Sequence, residues 1–152
     1  MNANTLREKY IGLQTKMLKS ADDIKKFGDY SCLYLCLCSI ADEFNEAHHS
    51  KNRVDILADY IVCRSRGWIG DEFFVKDSVA VLGYLTGAKW ERKMSEKLPE
   101  TVPDNMYTVE RWYNPKTRYT HFRRRWGDTL VDSNTVKNGK LTHYYLFVHK
   151  EA

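Results

Sequence analysis

One stretch of this chain, Ser31–Phe44, is apolar on almost every side and limits how the rest can fold. Its sequence is SCLYLCLCSIADEF. A helix that is apolar all round must be buried. A buried strand is the competing interpretation for such a short run, but the continuation through Ile40, Ala41 and Phe44 favours a helix. We therefore predict a central helix that is enclosed by the other elements of the domain.

The rest of the N-terminal half also shows helical patterns. Thr5, followed three residues later by Glu8, forms a capping-box pattern ahead of apolar residues at helical spacing. Arg53–Cys63 carries an amphipathic stripe and is predicted to end near Gly67. Asp77–Leu85 is a further amphipathic helix, which the sequence stops at Gly87. This helical half is predicted to extend over about residues 5–97.

The C-terminal half is rich in aromatic and β-branched residues and predicts a sheet over about residues 106–149. Leu98–Asn105 carries two of the three prolines and is the predicted connector between the halves. Turn-forming pairs separate the apolar segments, so we expect an antiparallel meander. Helices followed by strands indicate one α+β domain over residues 1–152. The predicted strands are Met106–Tyr113, Arg118–Trp126, Thr129–Ser133 and Leu141–His149.

Composition narrows the function classes. The 152 residues carry a formal charge of +4, which permits an acidic partner without demanding one. No apolar run approaches the ~20 residues of a membrane span, and MNANTLREKY lacks the apolar core of a signal peptide. A cytoplasmic protein without membrane contact is therefore expected, while the oligomeric state is open. In that compartment the four cysteines would be reduced. They are Cys32, Cys36, Cys38 and Cys63.

The cysteines differ in their predicted chemistry. A thiolate is stabilised in the first turn of a helix, where unpaired N–H groups and the helix dipole favour negative charge. Cys32 follows Ser31, a candidate N-cap, and would lie in that turn. Cys63 would lie near a helix end, where the dipole has the opposite sign. Cys32 is therefore the candidate nucleophile, and the other three cysteines are expected to fill the core.

A histidine in the sheet half supplies a candidate base. If Trp126 pairs with Thr129 across a hairpin, His121 lies opposite Asn134, with Asp132 as its diagonal neighbour on the same face. A shift of one residue brings Asp132 directly opposite. Either arrangement gives the imidazole an acceptor that fixes its tautomer, as a general base requires. The competing interpretation is a half-exposed strand histidine with unrelated polar neighbours.

These residues resemble the papain-like cysteine protease superfamily, most nearly its C39-like and NlpC/P60-like branches. The likeness covers about residues 25–148 and depends on a Cys at the start of a buried helix, then His121-Phe122 and Asp132-Ser133. It implies a papain-like fold with the helical half packed on the sheet. It also implies a cysteine hydrolase, a peptidase or amidase, that acts on peptide or protein substrates. Its site would be Cys32, His121 and Asp132, with Asn134 as a substitute third member.

The same resemblance leaves an alternative alignment open. The C39-like pattern carries a Gly-Cys pair before the helix, and aligning that pair on Gly28 places Asp29 at the nucleophile position. The chain would then be an inactive relative that binds a protein partner, as an accessory protein of a phage or mobile element could. The superfamily's oxyanion glutamine has one candidate, Gln14.

Two other patterns imply different functions. Arg123, Arg124 and Arg125 lie among aromatic residues, as they could on a nucleic-acid surface. Strand alternation puts Arg124 on the opposite side from the other two, so a solvated sheet edge protected by charge is the favoured interpretation. Cys36 and Cys38 with the nearby histidine pair lack the spacing of a zinc site. No metal or cofactor is therefore expected.

Overall fold

The computed structural model describes residues 30–124 and 134–150, so the helix expected after Thr5 lies outside the described residues. It contains helices and a four-stranded antiparallel sheet, which confirms the α+β class. The chain divides into two compact units, a helical unit over Met1–Gly87 and a sheet unit over Ala88–Ala152. None of the helices in the described part is long and apolar enough to cross a bilayer.

The predicted buried helix forms helix α1, Cys32–Ala47. It begins directly after Ser31, whose side chain makes no capping hydrogen bond. Helix α1 is buried on most sides, as its continuous apolar sequence predicts. The phenol of Tyr34, fully buried, donates to the carbonyl oxygen of Ile56 at 2.6 Å. Other buried side chains of the helix are Leu33, Cys36, Leu37, Cys38, Ile40, Ala41, Phe44 and Asn45.

Helices α2 and α3 complete the described part of the helical unit. Helix α2 covers Ile56–Ser65 and α3 covers Ser78–Thr86. Each is preceded by an aspartate, Asp55 or Asp77, whose carboxylate accepts from a backbone N–H of the first turn at 3.0 Å. Helix α2 begins three residues later than its apolar stripe predicted because this cap fixes the start. Gly87 ends α3 with φ +75°, as the sequence indicated.

The sheet unit contains four strands in the order β1-β4-β2-β3. Strand β2 has the bounds predicted from the sequence, and β4 extends the predicted segment by one residue at each end. Strand β3 is the inner part of a longer predicted strand. The predicted strand over 129–133 lies outside the described residues. The observed strands are β1 Lys89–Ser95, β2 Met106–Tyr113, β3 Thr120–Arg124 and β4 Lys140–Lys150.

Two expectations about the sheet are wrong. The helical half does not reach residue 97, because β1 already belongs to the sheet unit, and Leu98–Asn105 connects β1 to β2. Strand β1 was missed because Trp90 is its one buried residue, so KWERKMS has no alternating apolar pattern. The sheet is also not a meander, since β4 lies between β1 and β2. That order is set by long-range pairing rather than by the turns.

Cross-strand pairing defines two faces of the sheet, because directly opposed residues point to the same side. One face, which we call the His121 face, carries Glu110 and Trp112 of β2 opposite Arg123 and His121 of β3. The other, the arginine face, carries Arg92 of β1, Arg111 of β2 and Arg124 of β3, together with most of the strand aromatics.

Candidate functional site

Cys32 is the first residue of helix α1 and is partly exposed. Its position in the first turn confirms the local structure predicted for it. The remaining thiols, Cys36, Cys38 and Cys63, are buried, with 7%, 3% and 0% of their surface exposed. A reagent in solution therefore reaches Cys32 more readily than the other three.

Burial also makes two of the enclosed thiols poor nucleophiles. The pKa of the Cys38 thiol is raised to about 12, chiefly by desolvation; the hydrogen bond with Tyr34 opposes this rise and the negative charge of Asp59 contributes to it. The pKa of Cys63 is raised to about 12 by the same desolvation, with Asp59 again adding to the effect. At neutral pH both remain protonated thiols, in agreement with the core role expected for them.

His121 lies on strand β3, directly opposite Trp112 of β2, and is partly exposed. The two side chains share the His121 face because their Cα atoms are register partners. This placement confirms that His121 is a strand residue. Its cross-strand neighbour on β2 was not predicted, because the sequence analysis considered only the hairpin that follows β3.

A polar cluster surrounds that position. Glu110 is buried, with 7% of the residue exposed, and its carboxylate accepts from Arg123 Nε at 2.8 Å and from Trp112 Nε1 at 2.9 Å. The Arg123 guanidinium also stacks over the Trp112 ring, 5.0 Å from its centroid. A buried carboxylate that accepts from a guanidinium and from an indole N–H is held in one position. The three side chains therefore form a rigid network. Sequence reasoning missed this cluster, although the spacing of two between Glu110 and Trp112 places them on one strand face.

The other predicted site residues divide into two groups. Gln14, Asp29 and Asp132 lie outside the described residues, so their predicted roles stay predictions. Asn134 begins a short helix, α4, Asn134–Lys137, and the expectation that it pairs with His121 in a strand is wrong. A helical turn places successive residues around an axis, so no strand ladder can continue through Asn134.

Cys32 belongs to the helical unit and His121 to the sheet unit. The structure therefore supports the local setting of each residue separately. Their pairing as a nucleophile and a base stays a prediction from the sequence.

Strand β3 lies at the edge of the described sheet, as the favoured sequence interpretation expects, but its described arginines are not the solvated charges that this interpretation predicts. Arg123 is bound to Glu110, and Arg124 is 6% exposed, with its guanidinium 5.8 Å from the ring centroid of Tyr107. The two arginines do point to opposite faces, as alternation predicted. Arg125 lies outside the described residues. Contacts within the protein thus occupy two of the three arginines proposed for nucleic acid.

Residues 30–124 and 134–150 contain no group of three or more His, Cys, Asp or Glu side chains that could hold a metal ion. Comparisons with family models, with curated proteins and with solved structures found no match to this chain. The class established by the structure is thus an α+β protein with a four-stranded antiparallel sheet, and the papain-like assignment stays a hypothesis drawn from the sequence motifs.

Proposed function

We propose that this chain is a papain-like cysteine hydrolase. It would hydrolyse an amide bond of a peptide or protein, or transfer the acyl group of that bond to another acceptor. The observation that carries the proposal is the setting of Cys32, a partly exposed thiol at the first residue of the buried helix α1. The N–H groups of a first turn stabilise a thiolate at that position. The buried cysteines provide neither access nor, at Cys38 and Cys63, a favourable pKa.

In this proposal the Cys32 thiolate attacks the substrate carbonyl, and His121 carries the proton from the thiol to the leaving amine. Water then hydrolyses the thioester, with the same imidazole acting as base. Asp132 keeps its predicted role of orienting His121. Gln14 is the candidate oxyanion donor. These roles come from the family resemblance.

Alkylation with iodoacetamide near neutral pH tests the nucleophile. We expect peptide mapping to find Cys32 modified at least tenfold faster than Cys38 and Cys63, since thiols with a pKa near 12 hold almost no thiolate at that pH. The buried cysteines are internal controls that should react fully after unfolding. Equal, slow labelling of all four in the folded protein would refute the proposal and favour the binding-only relative with Asp29 at the nucleophile position.

A second experiment tests the base. We expect His121→Gln to slow alkylation of Cys32 several-fold, because the thiolate loses its imidazolium partner. The matched control is His143→Gln, the same substitution on the arginine face, which should leave the rate unchanged. Dibromoacetone, which bridges a thiol to a nearby imidazole, should join Cys32 to His121 in the folded protein. Modification of Cys32 with no bridge to His121 would remove His121 from the proposed site.

A further inference from the structure

The arginine face has a charge distribution that the proposed hydrolase does not use. The carboxylates of the four strands are Glu91 and Glu110, and the register places both on the His121 face. There they pair with Lys150 at 3.8 Å and with Arg123 at 2.8 Å. The arginine face carries its cations without any strand carboxylate. The strands themselves therefore supply no carboxylate on that side, and Glu96, directly after β1, is a carboxylate that acts on His143 of this face.

Arg111 shows the consequence most clearly. Its guanidinium is half-buried and donates to two neutral hydroxyls, Thr142 Oγ1 at 2.9 Å and Thr120 Oγ1 at 3.4 Å. Within the described part of the chain it forms no ion pair. A guanidinium has five N–H donors, and a partly desolvated one is stabilised by an anion. The two threonines hold Arg111 in place and leave its charge for an external partner.

A β-bulge shapes this position. The register between β2 and β4 shifts between Arg111 and Trp112, so that Arg111 opposes His143 while Trp112 opposes Leu141. The bulged residue is Thr142, whose hydroxyl also donates to the Arg111 carbonyl oxygen at 3.2 Å. Bulges commonly re-aim side chains beside functional sites. Here the bulge brings the Thr142 hydroxyl to the Arg111 guanidinium.

Aromatic rings lie beside these cations on the open part of the face. Arg92 is exposed and stacks over Tyr145, 5.0 Å from the ring centroid. Phe122 lies 5.4 Å from Tyr145 on the other side, and Met94, next to Arg92 on β1, is 60% exposed. Like Arg111, Arg92 has no carboxylate partner in the described residues. Cations interleaved with partly exposed rings match both parts of a nucleotide, its phosphate and its base.

The charge of the whole chain points the same way. Residues 88–152 hold 13 Lys and Arg against 8 Asp and Glu, a formal charge of +5, whereas residues 1–87 have a formal charge of −1. The positive charge is therefore concentrated in the sheet unit. Such an asymmetry attracts polyanions to one part of a protein.

We propose that the open part of the arginine face, formed by Arg92, Arg111, Phe122, Lys140 and Tyr145, binds single-stranded nucleic acid. Lys140 belongs to this surface because it opposes Tyr113, which shares the face with Arg111. The arginines and Lys140 contact phosphates, and bases stack on the Arg92–Tyr145 pair and on Phe122. This surface differs from the Arg123–Arg125 run considered from the sequence. It is independent of the proposed hydrolase because His121 lies on the opposite face.

Fluorescence anisotropy with a labelled oligo-uridylate or oligo-thymidylate of about ten nucleotides, within the ~4–16 covered by one small domain, tests the proposal. We expect a slope of log affinity against log salt of about −2, because three cations each release counterions worth ~0.7 on single strands. Polyglutamate and inorganic phosphate are the competitors. Absence of binding at low salt would overturn the proposal, as would equal binding of polyglutamate, which indicates generic anion attraction.

The neighbouring residues Arg92 and Lys93 give a matched pair of variants. Both are exposed on β1, and replacing either by Ala removes one positive charge, but only Arg92 lies on the arginine face. We expect Arg92→Ala to weaken binding about tenfold and Lys93→Ala by less than about twofold. Equal effects of the two would refute the face assignment. Cys32→Ser should leave the affinity for the oligonucleotide unchanged, because Cys32 is not part of this surface. The binding experiment therefore tests the nucleic-acid proposal separately from the hydrolase proposal.

Discussion

His143 shows how its surroundings alter the chemistry of a single residue. It lies on β4 directly opposite Arg111, and its Nε2 is buried without a hydrogen-bond partner among the described residues. Desolvation lowers the pKa of the imidazole below its ordinary 6.5, the Arg111 charge lowers it further, and Glu96 opposes both. Desolvation and the charge of Arg111 therefore both favour the neutral imidazole, and Glu96 favours the protonated one. The sequence alone could not identify Arg111 as the neighbour of His143, because the two residues meet only through the register of β2 and β4.

This shift makes folding stability depend on pH. Because the folded state holds the lower pKa, the unfolded chain binds the proton more readily. Stability from His143 is therefore fully present above about pH 6.5 and declines as pH falls below it. We expect the urea midpoint to fall between about pH 7 and pH 5, and the fall to be smaller in His143→Gln. An NMR titration that finds the His143 pKa above 6.5 would contradict the assigned causes.

At the scale of elements, the β2–β3 hairpin depends on one turn residue. Asn114 is 2% exposed, and its Oδ1 accepts from the backbone N–H of Lys116 at 2.9 Å and of Thr117 at 3.4 Å. Its own N–H donates to the Tyr119 carbonyl oxygen at 3.0 Å. Asn114-Pro115 is one of the turn-forming pairs that separate the predicted strands, and the turn there is confirmed. An Asn side chain that binds its own backbone specifies such a turn locally.

Replacing Asn114 tests this role. We expect Asn114→Ala to lower the free energy of unfolding by about 0.5–1.5 kcal/mol, because the backbone N–H groups of Lys116 and Thr117 lose their acceptor while water can still reach this exposed turn. Asn114→Asp is the matched control, since it keeps an acceptor oxygen at the same position and should retain most of the stability. Chemical denaturation of the three proteins compares them. Equal stability of the Ala variant and the original protein would show that the side-chain bonds are not needed.

At the scale of the whole molecule, strand β4 organises the sheet. It pairs with β1 along Lys89–Ser95, where paired residues are 49–61 positions apart in the chain, and with β2 along Met106–Tyr113, where they are 27–42 positions apart. The closure of such long-range pairs is governed by the entropy of the intervening chain rather than by local propensity. The formation of β1 therefore depends on its pairing with β4 rather than on a local pattern in its own sequence.

Removing β4 should therefore abolish the protection of β1. We expect a chain that lacks residues 139–152 to lose slow amide hydrogen exchange over Lys89–Ser95, because β4 is the strand with which β1 pairs in the described sheet. Glu91→Gln is the control. It breaks only the exposed Glu91–Lys150 ion pair, a type worth ~0–1 kcal/mol, and should leave β1 protected. Slow exchange in β1 of the truncated chain would contradict the pairing.

The sequence by itself determined the elements whose signals are local. The apolar run at 31–44 requires a buried helix, Gly87 ends a helix, and the aromatic and β-branched residues of Met106–Tyr113, with the turn residues that follow, define a strand. It also placed Cys32 in a first turn and His121 in a strand. Only the tertiary structure decided the strand order and the inclusion of β1 in the sheet. It also decided the hydrogen bonds to the Glu110 carboxylate and the separation of charge between the two faces. These depend on register between distant segments, and a shift of one residue would exchange the two faces without changing any local preference.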